Sequence, residues 1–190
     1  MRGQFVAYAL IALFIVAERR LRTGQEAQTL HELQSDRGTT RQIGVAFAFA
    51  LCAGLVAPLL NSLRIGRLRT HGVAETGTAL MLMGLLVRVW SAQTLGRFYT
   101  RTLRVAQGQS VITDGPYRWV RHPGYAADIV VWLGFGLAAA NLLVAAVIVA
   151  AMLAVYTRRI AAEEAMLKEE LGEAYAEYMR QTACLLPGVY

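Results

Sequence analysis

Charge is scarce in this chain. Asp, Glu, Lys and Arg make up only 17% of its 190 residues, too few for an ordinary soluble domain. Cysteine is scarcer still: Cys52 falls inside an apolar run and Cys184 near the carboxy terminus, which excludes a disulfide framework and gives no sign of an oxidising compartment. The three histidines, His31, His71 and His122, stand far apart. With no Cys-x-x-Cys or His-Glu-x-x-His spacing, no metal site is expected. Neither a Gly-x-x-x-x-Gly-Lys-Ser/Thr loop nor a Gly-x-Gly-x-x-Gly fingerprint occurs, so no soluble nucleotide-binding domain is expected. The pair Gly134 and Gly136 lies within an apolar run, where small residues serve close helix packing.

What the chain has in quantity is apolar sequence. It is 56% hydrophobic with a mean hydropathy of +0.40, which predicts an all-α integral membrane protein forming a single membrane domain over residues 1–190. Five transmembrane helices are expected, over residues 4–21, 43–63, 76–96, 126–140 and 142–157, each near the length needed to cross the hydrocarbon core. The run from Ala126 to Tyr156 is too long for one span, so spans four and five should form a helical hairpin turning at Asn141. The amino terminus has only Arg2 as an n-region and no small-residue cleavage site before Glu18-Arg19-Arg20, and it reads as a retained anchor. Pro58 is expected to kink the second span.

Charge placement tests this topology independently, because cytoplasmic loops are enriched in Lys and Arg. With the amino terminus outside, fourteen basic residues fall inside and four outside, with Arg88 left within the third span. That orientation puts residues 97–125 and the carboxy-terminal tail on one cytoplasmic face, where they can form one site. The formal net charge of +6 then suits anionic lipid headgroups, and no nucleic-acid partner is expected. Nothing in the sequence requires more than a monomer.

Function is expected where polar residues interrupt the apolar spans. The run Asp114-Gly115-Pro116-Tyr117-Arg118-Trp119-Val120-Arg121-His122-Pro123-Gly124-Tyr125 is basic, and its Gly-Pro and Pro-Gly pairs disfavour a continuous helix. It predicts an ordered loop that must be held by something else. His122 could merely cap the following helix, while Tyr117, Trp119 and Tyr125 could be an interfacial aromatic belt, the role preferred for Trp119. Arg88 must face the bundle, snorkel, or pair with a carboxylate such as Asp128 or Glu163, and a site role and a pairing role weigh equally.

The tail is the second polar segment. Ile160, Leu167, Leu171, Tyr175 and Tyr178 recur at helical spacing, which predicts a cytoplasmic amphipathic helix over residues 158–181 running on from the last span. Tyr175 and Tyr178 are expected to dock it. Arg159 and Glu163 are four residues apart, so a simple helix-surface ion pair is the plain account of both.

The ordered set Gly115-Pro116-Tyr117, Arg121-His122-Pro123, Tyr125, a hydrophobic hairpin, Arg159, Glu163-Glu164, Leu171-Gly172, Tyr175, Tyr178 and Leu186-Pro187 resembles the isoprenylcysteine carboxyl methyltransferase family. Ser35-Asp36-Arg37-Gly38 and Thr94-Leu95-Gly96-Arg97 resemble its bacterial and archaeal branch. The likeness is strong from residue 94 to the end, so residues 94–190 are expected to form the cofactor-binding and catalytic half, and residues 1–93 the first three spans. It implies S-adenosylmethionine as cofactor. Gln109, Ser110, Val111, Ile112, Tyr117, His122, Pro123, Tyr125, Glu163 and Glu164 would contact it, with Glu163 on its amino group. Arg159, with Arg88 as a second candidate, would bind the substrate, and Arg159, Glu163 and His122 would carry the chemistry. The chain departs from the family pattern at Gln109, where relatives often have His, at Ala127, where Gly is usual, and at Cys184, where a basic residue is common.

The residue types suit such chemistry. A sulfonium methyl donor needs no metal or covalent enzyme intermediate, and a carboxylate acceptor is already ionised, so positioning carries most of the catalysis. Glu163 offers an anion for an ammonium group, and Arg159 can grip a carboxylate bidentately. The leading expectation is O-methylation of a carboxylate on an isoprenylcysteine-like or other lipophilic molecule. Phospholipid N-methylation or small-thiol S-methylation, a nicotinamide-dependent membrane reductase, and a non-enzymatic lipid-binding partner protein stay open.

Overall fold

A computed structural model describes residues 2–21, 36–69, 72–100, 103 and 108–188. His31, His71 and Ser35, and Arg22, Arg101 and Arg104 among the basic residues counted for the topology, lie outside the described residues. Among the described residues six α-helices follow one another: α1 (Arg2–Leu21), α2 (Thr39–Ser62), α3 (Val73–Leu95), α4 (Pro123–Ala138), α5 (Leu142–Leu171) and α6 (Glu173–Gln181). Short 3-10 turns occupy Gly96–Phe98 and Gly115–Arg118, and the only pairings of β type among the described residues are two isolated bridges.

Among the described residues three helices are long and apolar enough to cross a bilayer: α2, α3 with its following 3-10 turn, and α5. The chain is therefore an all-helical integral membrane protein. The other two expected spans differ from these. Helix α4 has 16 residues, about 24 Å, short of a hydrocarbon core of about 30 Å. Helix α1 has 20 residues but carries Glu18, Arg19 and Arg20 in its last turn.

The hairpin turns at Asn141, as the sequence predicts. The Asn141 side-chain oxygen caps α5 by accepting from the Val144 amide at 3.0 Å, and its amide group donates to Asn61 Oδ1 at 2.8 Å and to the Ile65 carbonyl at 2.9 Å. The same side chain thus ends one helix pair and ties down the turn after α2.

Helices α3 and α4 meet along a seam of small residues. A Cβ on Gly134 would sit 2.5 Å from the Gly77 carbonyl, and one on Gly84 would meet the Ala127 carbonyl at 2.8 Å. Gly136 performs the same service against Ala145 of α5. Without a hydrophobic drive between helices in lipid, such backbone contact supplies the packing. Behind the seam lie Met81, Val131, Trp132, Phe135, Ile148, Met152 and Tyr156, all essentially inaccessible.

The tail differs from the single helix the periodicity predicts. Helix α5 runs unbroken through Arg158 to Leu171, then Gly172 adopts a positive φ of 58° and α6 sets off anew. Positive φ is cheap only for glycine, so the break is local to that residue. It brings Tyr175 and Tyr178 under the loop that precedes α4, where both are buried.

Candidate active site

The loop at 114–125 is held by the end of the chain. Val120 and Ala183 form a parallel bridge, the Arg121 amide donates to the Ala183 carbonyl at 2.8 Å, and the His122 amide donates to the Cys184 carbonyl at 3.1 Å. The Arg121 guanidinium donates to Glu164 Oε1 at 2.9 Å, to the Met179 carbonyl at 3.0 Å and to the Thr182 carbonyl. Tyr178 adds a hydroxyl bond of 2.8 Å to the Tyr117 carbonyl. These contacts satisfy backbone that neither helix nor sheet reaches, which buried segments require.

His122 both starts the following helix and lines the cavity. Its backbone is the N-cap of α4, without a side-chain capping bond. Its buried ring lies 3.1 Å from Glu164 Oε1 and stacks on Tyr125 at 5.6 Å between centroids, and Tyr125 stacks in turn on Tyr156 at 5.0 Å. Burial pushes the nearby Tyr117 phenol well above its ordinary pKa, so it remains a neutral donor. Trp119 stands exposed edge-on to Trp90 at 6.2 Å, as a belt residue does.

The two arginines of interest are both buried and both paired. Arg159 on α5 donates from NH1 to Asp36 Oδ1, to Thr39 Oγ1 at 2.8 Å and to Thr40 Oγ1 at 3.0 Å, and from Nε to the Tyr125 hydroxyl at 3.2 Å. That hydroxyl donates to Glu163 Oε2 at 2.6 Å. The link from Arg159 to Glu163 therefore runs through Tyr125. Arg88 on α3 donates from Nε to Glu18 Oε1 at 3.0 Å, and its NH1 lies 3.5 Å from Asp128 Oδ2. Tyr99 donates to the same Glu18 oxygen and Tyr156 to the same Asp128 oxygen, each at 2.6 Å. The Asp128 pairing is among those the sequence suggests for Arg88. Glu18 was not, although its place at the charged end of the first apolar run was the available signal.

These groups surround a cavity of about 320 Å³, within the range of small-molecule sites. Gln109, Ser110, Val111, Ile112, Tyr117, His122, Tyr125, Arg159, Glu163 and Arg88 all line it. Pro123 and Glu164 do not: Pro123 opens α4, and Glu164 is turned to Arg121 and His122. Residues before position 93 line it as well, among them Phe14, Ile15, Glu18, Ile43 and Phe47. The lining therefore combines polar groups of the loop and α5 with the apolar side chains Phe14, Ile15, Ile43 and Phe47 of α1 and α2.

One cluster has metal-binding donor types. His122, Glu164 and Cys184 bring a nitrogen, an oxygen and a sulfur within 4.8 Å of one another, although they are distant in sequence. The Arg121 guanidinium already balances the Glu164 carboxylate, and burial followed by the Glu164 charge pushes the Cys184 thiol up, so the cluster stands as a charge-satisfied joint.

Residues 77–169 match the model of the isoprenylcysteine carboxyl methyltransferase (ICMT) family. The chain is 25% identical over 164 residues to a probable protein-S-isoprenylcysteine O-methyltransferase of Oryza sativa subsp. japonica, covering 85% of this chain and 86% of that protein. It is 25% identical to protein-S-isoprenylcysteine O-methyltransferase A of Arabidopsis thaliana, over 86% of this chain and 84% of the relative. The cobalt-zinc-cadmium resistance protein CzcN of Cupriavidus metallidurans is 31% identical over 70% of this chain and 60% of its own length. Among solved structures, a eukaryotic intramembrane Ras methyltransferase, itself an isoprenylcysteine carboxyl methyltransferase, superposes with a TM-score of 0.65 at 21% identity. The match covers 78% of this chain and 53% of that one, so the present chain spans about half of the larger enzyme and shares its fold. Over residues 77–169, and more weakly along most of its length, the chain is similar to the isoprenylcysteine carboxyl methyltransferase family.

Proposed function

We propose that this protein is an S-adenosylmethionine-dependent membrane methyltransferase that esterifies the carboxylate of an isoprenylcysteine-like or other lipophilic acceptor. The observation that carries this reading is the convergence on one cavity of Glu163, His122, Tyr125, Arg159 and the segment Gln109–Ile112, together with apolar side chains of α1 and α2. Family relatives named as isoprenylcysteine O-methyltransferases support it. They give no support to the reductase or partner-protein readings.

The donor set fits the cofactor. Glu163 provides a carboxylate for the α-ammonium group, Gln109 and Ser110 provide polar contacts, and the stacked rings of His122, Tyr125 and Tyr156 provide a flat flank. When bound, S-adenosylmethionine supplies an electrophilic methyl on sulfur. The remaining work belongs to the chain. Arg159 puts positive charge beside Tyr125, where an acceptor carboxylate would be drawn. The aromatic and aliphatic wall from α1 and α2 holds an apolar tail and keeps water away from the acceptor oxygen. No general base is needed, since the acceptor is ionised at neutral pH.

In this reading α1 and α4 complete a five-span bundle in an inner or plasma membrane. The amino terminus is outside, and the polar groups of the cavity lie on the cytoplasmic side, as the bias of basic residues favours. Lipids are then the immediate surroundings of the site, and the acceptor reaches it from the bilayer.

The test is calorimetric titration of detergent-solubilised protein with S-adenosylhomocysteine, repeated for Glu163→Ala. Saturable wild-type binding that the variant loses is the expected result. A folded wild type that fails to bind would end the methyltransferase reading.

A further inference from the structure

Asp36 stands in the connection between α1 and α2 and is 0% exposed, an unusual place for a carboxylate unless it is fully partnered. Its Oδ2 accepts from the Thr40 amide at 3.0 Å and its Oδ1 from the Thr40 hydroxyl at 2.8 Å. Oδ1 also accepts from Arg159 NH1, 123 residues away in sequence. Thr39 and Thr40 hydroxyls meet the same Arg159 nitrogen. One face of the guanidinium is thereby drawn towards the start of α2, and Nε is left aimed at Tyr125.

The alternative for Arg159 is one helical turn away. Glu163 lies at i+4 on α5, the spacing at which Arg and Glu ordinarily pair directly. A direct pair would neutralise Glu163 and pull it along the helix. In the structure the Tyr125 hydroxyl stands between them, accepting from Arg159 and donating to Glu163. Asp36 competes for the guanidinium and keeps it from closing on Glu163.

We propose that Asp36 is a positioning residue for the cofactor site: by holding Arg159 through its NH1 edge, it keeps the Glu163 carboxylate presented to the cavity on the Tyr125 hydroxyl. This rests on the methyltransferase reading above and assigns a task to the Ser35-Asp36-Arg37-Gly38 segment. Asp36 is not among the residues that line the cavity. Its influence runs through Arg159.

The test is a double-mutant cycle read by S-adenosylhomocysteine binding, since a purely structural contribution would move thermal stability without producing the coupling. Asp36→Ala should weaken binding at least about tenfold, as Arg159 turns onto Glu163. Arg159→Gln should weaken it less, and the double variant should bind no worse than Arg159→Gln alone. Asp36→Asn keeps the shape and the bond from the Thr40 amide, and it replaces Asp36→Ala in the cycle if that variant fails to fold. A folded Asp36 variant that binds like wild type overturns the proposal, as do losses that simply multiply. Wild-type protein without affinity for S-adenosylhomocysteine would sink the functional reading and this inference together, whereas wild-type binding with an indifferent Asp36 variant sinks this inference alone.

Discussion

The α3–α4 seam and the joint between loop and tail hold the same molecule together by opposite means. The seam works by subtraction: Gly77, Gly84 and Gly134 lack side chains, so backbone meets backbone and little else specifies the contact. The joint works by addition: Arg121 reaches Glu164 and the Met179 carbonyl, His122 reaches Glu164, and Tyr178 reaches the Tyr117 carbonyl. Sterics alone suffice in lipid, where there is no water for a polar group to lose. At the polar end, irregular backbone has to be satisfied residue by residue, and the cavity lies on that side.

The largest effect should come from the seam. Gly134→Val places branched carbons against the Gly77 carbonyl and the Met81 backbone, walls that cannot rotate away. The expected cost exceeds about 3 kcal/mol, with protein lost from the detergent-soluble fraction. A Gly134→Val protein with a wild-type melting temperature would show that the helices slide freely and that the seam does not specify the fold.

Arg121→Ala attacks the joint. It removes the bonds to Glu164, Met179 and Thr182 and leaves the buried His122 beside an uncompensated carboxylate. About 3 kcal/mol is expected, the low end for breaking a buried pair, because the Glu164 side chain keeps 17% exposure. The seam should survive this change. Hydrogen exchange should therefore rise in residues 173–188 and 114–122 while α3 and α4 stay protected. Uniform loss of protection would mean that the two regions unfold as one unit.

The two regions also differed in how far they could be read from sequence. Apolar run lengths found the helices, and Asn141 announced the hairpin, because a single strongly polar residue inside a long apolar run has few other uses. Pro116, Pro123 and the two glycines beside them marked the loop. What held the loop was invisible, since the partners of Arg121 and His122 come from residues 164–184 and no spacing rule links them. Gly172 was read as part of a family motif, but the break in the tail helix was missed because the apolar periodicity continues across it. The cavity followed the same pattern. The segment Gln109–Ile112, with Tyr117, His122, Tyr125, Arg159 and Glu163, was assembled from motif likeness. Glu18 was missed because long-range pairing leaves no local trace, and Asp36 was noted only within a motif, without a task.

Asp36 gives the smallest effect at neutral pH and the clearest dependence on pH. Burial alone would push its carboxyl up, but the Thr40 amide and hydroxyl and the Arg159 guanidinium outweigh that, and its pKa lies below the ordinary carboxylate value. A depressed folded-state pKa contributes stability that is present above the unfolded pKa of about 3.9 and disappears as pH falls through the folded value. Wild type should therefore exceed Asp36→Asn in melting temperature by a constant margin from pH 7 to about 5, and the margin should shrink below about 4, where the unfolded chain takes up its proton while the native carboxylate still holds its charge. Melting curves of both proteins in one detergent, from pH 7 down to 3, measure it. If wild type and the equally shaped Asp36→Asn melted alike at pH 7, the shape of the side chain, rather than its charge, would hold Arg159, and the contrast between a charged joint and an uncharged seam would then stop at Arg121.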